Sequence, residues 1–126
     1  MKARRHFTRK DLEAVRVGKI VGIRAGEEPH RVIGIWAVVA RNRVFVRSWS
    51  LTAQGWYKTF LATPKGSLHI GDREISVRAV HTRSEALKAA VDRAYAEKYN
   101  TPGALKYVRD LKRPKSRNAT IELVPL

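Results

Sequence analysis

The stretch VIGIWAVVARNRVFVRSW, residues 32–49, decides how the chain folds. From Val32 to Ala40 odd and even positions are apolar alike, as in a strand buried on both faces. Arg41-Asn42-Arg43 is a tight polar link. Val44 to Trp49 then resumes with β-branched and aromatic residues, so the two runs form a hairpin. Arg47, Ser48 and Trp49 fall where the second strand runs out.

On the N-terminal side, Lys19 to Arg24 reads as a short strand closed by the loop Ala25 to His30. Before it, Thr8-Arg9-Lys10-Asp11 has the look of a capped helix start, Leu12 and Val15 recur at helical spacing, and Gly18 ends the helix. On the C-terminal side, Trp56 to Ala62 reads as a short helix stopped by Pro64 and Gly66. Ser67 to Ile70 and Arg73 to His81 form a second hairpin turning at Gly71-Asp72. In its second strand Ile75, Val77 and Ala79 alternate with Glu74, Ser76 and Arg78. Thr82 and Glu85 read as a capping box for a helix that buries Leu87, Ala90, Val91, Ala94 and Tyr95. Thr101-Pro102 starts another helix through Leu105, Val108 and Leu111. ATIELVPL closes the chain as a strand.

These elements predict one domain over residues 1–126. A helix at 8–17 precedes a barrel at 19–81 and 119–124, with a helical insertion at 82–112. About six short strands, mostly joined by hairpins, are buried most readily by closing into an antiparallel barrel, an α+β or mainly β fold.

The charge balance is lopsided, with 26 Lys+Arg against 11 Asp+Glu and a formal net charge of +15. Such a field attracts anions without choosing among phosphorylated cofactors, nucleic acid and acidic surfaces. The basic residues are dispersed, with modest clusters at Lys2 to Arg5 and Lys112 to Arg117, which fits a solvated surface. There is no cysteine, so disulfides, zinc knuckles and thiol nucleophiles are excluded. The longest apolar run falls far short of the ~20 residues that cross a bilayer. MKARRHFTRK lacks the apolar core of a secretory signal, so the expectation is a cytoplasmic protein with no membrane partner.

His6, His30, His69 and His81 show no metal-ligand spacing, and no nucleophile, metalloprotease or phosphate-loop motif is present. The chemistry concentrates instead at the junction after the second strand. Arg47 offers a two-pronged contact at the strand end, outside the core, and Ser48 a short hydrogen bond. The following helix starts with free backbone N–H groups and carries Lys58 in its first turn. Trp49, Trp56 and Tyr57 offer flat surfaces. This set suits a planar ring carrying a phosphate. The competing reading makes Trp56, Tyr57 and Phe60 a core face and Arg47 a surface charge.

GWYKTFLATPKGSLHIGDREISVRAV, residues 55–80, resembles the W-Y-x-N-L-x-x-N-P pattern of the deazaflavin-dependent nitroreductases, with Thr59 and Thr63 where that pattern has Asn. Those proteins share the split β-barrel of pyridoxamine-phosphate oxidases and other FMN-binding proteins. IWAVV, VFVRS, WYK, AYAEKYN and ATIELVP together resemble, over nearly the whole chain, the bacterial family called domain of unknown function 2255. The resemblance implies a six-stranded antiparallel split β-barrel with flanking helices, paired as a homodimer around a flavin-type cofactor. FMN is the first choice and a deazaflavin coenzyme the second. Carried over by position, Arg47 and Ser48 would face the cofactor and Trp56, Tyr57 and Lys58 would cover or anchor it. The glycine-containing basic segment that grips the phosphate in the nitroreductases is absent, which leaves Arg31 in PHRVIG as the nearest cation. The expectation is an oxidoreductase of a small substrate. The alternative is a basic nucleic-acid-binding or structural module on the same fold, with no cofactor.

Overall fold

The structure, a computed structural model, describes residues 6–26, 31–49 and 55–126. The basic cluster at 2–5, most of the loop at 25–30 and the polar link at 50–54 lie outside the described residues. Thr8 caps α1 (Arg9–Val17), its Oγ1 accepting from the Asp11 amide at 3.1 Å. The chain continues through β1 (Val21–Ala25), β2 (Ile33–Ile35), β3 (Ala37–Ala40), β4 (Arg43–Arg47) and α2 (Trp56–Ala62). Then follow β5 (Lys65–Ile70), β6 (Arg73–His81), α3 (Glu85–Lys98), α4 (Pro102–Leu111), α5 (Pro114–Arg117) and β7 (Thr120–Pro125).

All strand pairs are antiparallel, in the order β2-β1-β5-β6-β7-β4-β3. The two terminal strands, β2 and β3, are consecutive in sequence and separated only by Trp36. One run therefore closes the barrel, pairing with β1 along its first half and with β4 along its second. The sequence predicts a single strand here and six in all; the sheet has seven because this run changes partner at Trp36. The register Ala37↔Val46 would set Trp36 opposite Arg47. The Tyr95 hydroxyl enters between them instead, accepting from the Arg47 amide at 3.1 Å and donating to the Trp36 carbonyl at 2.8 Å. It does so as a permanent donor, because burial pushes the phenol well above its ordinary range.

Strand alternation sorts the core into two clusters. Val21, Ile23, Val44, Val46, Leu68, Val77, Ile121 and Leu123 fill the barrel, and α1 (Leu12, Val15) and α2 (Tyr57, Phe60) pack against them. Val38 and Phe45 face outward into a second cluster with Ala90, Val91 and Tyr95 of α3, Tyr99, and Val108 and Leu111 of α4. The cover that β3 needs on its outer face comes from helices of the same chain. On the β2 side Val32 and Ile33 stay exposed, at 43% and 44%.

The β3–β4 turn has positive φ at both Arg41 (52°) and Asn42 (60°), as a two-residue turn matched to the strand twist requires. Gly66 is fixed by close approach: a Cβ there would lie 2.2 Å from the Arg24 carbonyl oxygen. Two local expectations need correction. Ser84, not Thr82, caps α3, its Oγ accepting from the Leu87 amide at 3.2 Å. The Thr82 amide instead donates to the Thr120 carbonyl, prolonging the β6–β7 pairing. On α4 the inward face is Ala104, Val108 and Leu111, leaving Leu105 exposed.

Candidate functional site

Where β4 ends and α2 begins, the chain bounds a cleft of about 480 Å³. Ile33, Gly34 and Ile35 of β2 form one part of its lining, and Trp36 the bend. Arg47, Ser48 and Trp49 come from the end of β4, Gly55 and Trp56 from the start of α2, and Tyr107 and Leu111 from α4. A chain of rings runs along it. Trp36 stacks on Tyr99 with centroids 4.0 Å apart and planes 4° from parallel. Tyr107 meets Trp36 edge-on at 6.1 Å and Trp49 at 6.4 Å. From α2, Trp56 packs edge-on against Tyr57 at 6.4 Å and Phe60 at 6.1 Å. The recess is thus flat-walled and mostly apolar, with the buried Ser48 as a polar point.

Arg47 is the main surprise. Alternation along β4 turns Val44 and Val46 into the barrel and sends Arg43, Phe45 and Arg47 outward. The Arg47 guanidinium is wholly enclosed beneath α3 and α4. Nε donates to Thr120 Oγ1 at 2.8 Å, Nη1 to Asp92 Oδ1 at 2.6 Å and the Leu111 carbonyl at 3.1 Å, and Nη2 to the Lys88 carbonyl at 2.9 Å. Asp92 also receives Arg117 at 3.0 Å, and Arg117 reaches Glu85 at 2.7 Å. The expectation of a strand-end arginine outside the core is therefore corrected: the side chain ties β4, β7, α3 and α4 together, and its charge is balanced within the protein.

Ser48 and Trp56 are brought together at the cleft with the backbone end of Arg47. Tyr57, Lys58 and Arg31 are not in its lining. Helical geometry turns Tyr57 into the barrel cluster, its hydroxyl 3.4 Å from His81 Nε2. That nitrogen also lies 2.7 Å from the Asn118 carbonyl, which makes it the protonated one. Lys58 is exposed, its Nζ 5.9 Å from the Tyr57 ring, and Arg31 is exposed beside β2. Sequence reasoning missed Trp36, Tyr107 and the β2 residues, having assigned them to strand and helix interiors. A lone tryptophan amid small β-branched residues was the available signal.

Among the described residues no group of His, Asp and Glu is placed to hold a metal ion. His69 Nε2 is 2.9 Å from Ser67 Oγ and 3.9 Å from Glu74 Oε1. Serine and acid share one nitrogen, so this is no nucleophile–base–acid relay. Lys98 donates to the Val15 carbonyl at 2.7 Å and the Ala37 carbonyl at 2.5 Å, and burial pushes its ammonium down to about 8. No described helix is long and apolar enough to cross a membrane.

An antiparallel barrel of this order, with helices packed outside, is a split β-barrel. The chain belongs to the family described as uncharacterized protein conserved in bacteria (DUF2255), which matches residues 11–123. The fold is similar to that of a conserved hypothetical protein, Rv2991, from Mycobacterium tuberculosis (TM-score 0.61, 12% identity, 100% of this chain and 84% of that one). It is similar to an F420-H2-dependent reductase, FDR-A (0.58, 18%, 84% and 93%). It is similar also to an FAD-binding protein from Mesorhizobium loti (0.54, 10%, 99% and 93%). At these identities the likeness is one of fold. No curated protein matches the chain significantly.

Proposed function

We propose that the cleft between β2, the end of β4, α2 and α4 binds a flavin-type cofactor, FMN in first place and a deazaflavin in second. In this reading the protein is an oxidoreductase of a small substrate. The observation that carries it is the aromatic lining of a recess of about 480 Å³, a size ordinary for cofactor sites. Trp36, Trp56 and Tyr107 suit a flat ring, and Ser48 suits its polar edge. When bound, the flavin supplies the electron-transfer chemistry. The chain's own residues orient it and keep water from it. Arg47 enters as a positioning residue: its side chain holds the strand end that carries Ser48.

The test is a titration of the purified protein with FMN, followed by absorbance and flavin fluorescence. Tyr107 is 46% exposed and outside both core clusters, so Tyr107→Ala isolates the ring wall from folding. The expected result is saturable binding by wild type and at least tenfold weaker binding by Tyr107→Ala, with unchanged melting. Absence of flavin binding by wild type overturns the reading.

A further inference from the structure

We infer that a second cleft, on the other side of Trp49, anchors the anionic end of the ring-bearing ligand. The inference rests on the flavin-type reading of the first cleft. Both recesses include Trp49, one at about 480 Å³ and the other at about 490 Å³. The first has no available cation in its described lining, because Arg47, its one cationic member, is enclosed and hydrogen-bonded. A phosphorylated ring seated there would leave its anion without a partner. The second is lined by Arg113 and Lys115, with Ser116, Pro114 and Asp110.

The details of that second recess suit a phosphate. The Arg113 side chain is 76% exposed and lies a loose 3.6 Å from Asp110, so an incoming phosphate can take it by a two-pronged contact. Lys115 is exposed beside it. Asp110, the one acid in the lining, has a separate task. Its Oδ2 accepts from the Trp49 indole Nε1–H at 3.2 Å, which holds the ring as a partition between the two recesses. The ligand this arrangement fits has a planar ring joined to a phosphate or diphosphate by a flexible linker that can pass around an indole.

Three probes separate the possibilities: riboflavin, which has the ring without the phosphate; FMN, which has both; and inorganic pyrophosphate, which is anion alone. Wild type is expected to bind FMN at least tenfold more tightly than riboflavin, since charge-assisted contacts are worth about that factor. Arg113→Ala/Lys115→Ala should bring FMN down to the riboflavin level and leave riboflavin unchanged. Pyrophosphate at physiological ionic strength should raise the Tm of wild type but not of this double variant. Arg78→Ala/Arg93→Ala removes the same charge from exposed positions elsewhere and should change nothing. Equal affinity for FMN and riboflavin overturns the anchor while the ring reading stands. An equal loss in both double variants overturns it in favour of the general field. If neither flavin binds but pyrophosphate protection disappears only in Arg113→Ala/Lys115→Ala, the anion site stands and the ring reading falls. No flavin binding and no pyrophosphate effect reject both.

Discussion

The Tyr95 hydroxyl accepts the amide hydrogen of Arg47 at 3.1 Å, where the β3–β4 register calls for a strand partner. It passes its own proton toward the Trp36 carbonyl at 2.8 Å and so spreads the two strands at the floor of the cleft. Tyr95→Phe keeps the ring and removes this link from a buried amide and a partly buried carbonyl. The expected cost is about 1–3 kcal/mol in urea unfolding. No loss would mean that the amide and carbonyl pair directly once the hydroxyl is gone.

Arg47→Ala should destabilise strongly, by about 3 kcal/mol, because it strips a fully enclosed guanidinium from Asp92 and from two carbonyls. Arg117 remains on Asp92, which keeps the loss from being larger. Chemical denaturation measures it. A neutral result would restore Arg47 to the exposed role that the sequence suggested.

Stability should rise with pH above about 8, the value to which burial pushes Lys98. The unfolded ammonium holds its proton to about 10.4, so between these values the unfolded chain binds more protons and folding gains as pH increases. Burial pushes Tyr95 and Tyr99 the other way, so above about 10 the unfolded phenols ionise first and stability falls again. Lys98→Met should abolish the rise and keep the fall. Melting curves from pH 7 to 11 would show no rise between about pH 8 and 10 in wild type, only the later fall, if the ammonium were ordinarily solvated.

Homodimer formation is expected through the face that leaves Val17 70%, Ile20 65% and Val32 43% exposed. Light scattering at micromolar concentration should give twice the chain mass, and Ile20→Asp should give the monomer without lowering the Tm. A monomeric wild type rejects this.

Oligonucleotide binding is expected to be weak and lost by about 0.15 M salt, where screening reaches ~8 Å. Sequence-selective binding that persists there would favour the nucleic-acid alternative over a cofactor.

Strand and helix positions were legible because their signals are local: Gly71-Asp72 between alternating runs, Thr101-Pro102 at a helix start, and apolar spacing from Leu87 to Tyr95. The split at Trp36 was not, since the switch of partner depends on a hydroxyl 59 residues away in the chain. The Arg47 reading failed for a related reason. Strand end and pocket rim coincide in sequence, but the side on which a residue points follows from the pleat, and Asp92 is supplied by a helix 45 residues later. Ser48 and Trp56 were placed at the cleft because their backbones are fixed by the same junction that the sequence displays. Tyr107 comes from α4, whose docking on that junction is a tertiary fact.

Among the described residues β2 is paired in the sheet with β1 alone, and its second edge is turned to the recess that Ile33, Gly34 and Ile35 help to line. An unpaired strand edge in open solvent invites other chains to add to it. Here the edge borders a concave, ring-lined hollow, which is a poor template for an extended polypeptide. The same hollow would suit a small heterocycle whose rim alternates donors and acceptors. The change of partner at Trp36 thus sets a strand edge against the hollow, where strand addition by another chain is disfavoured and a small guest has room.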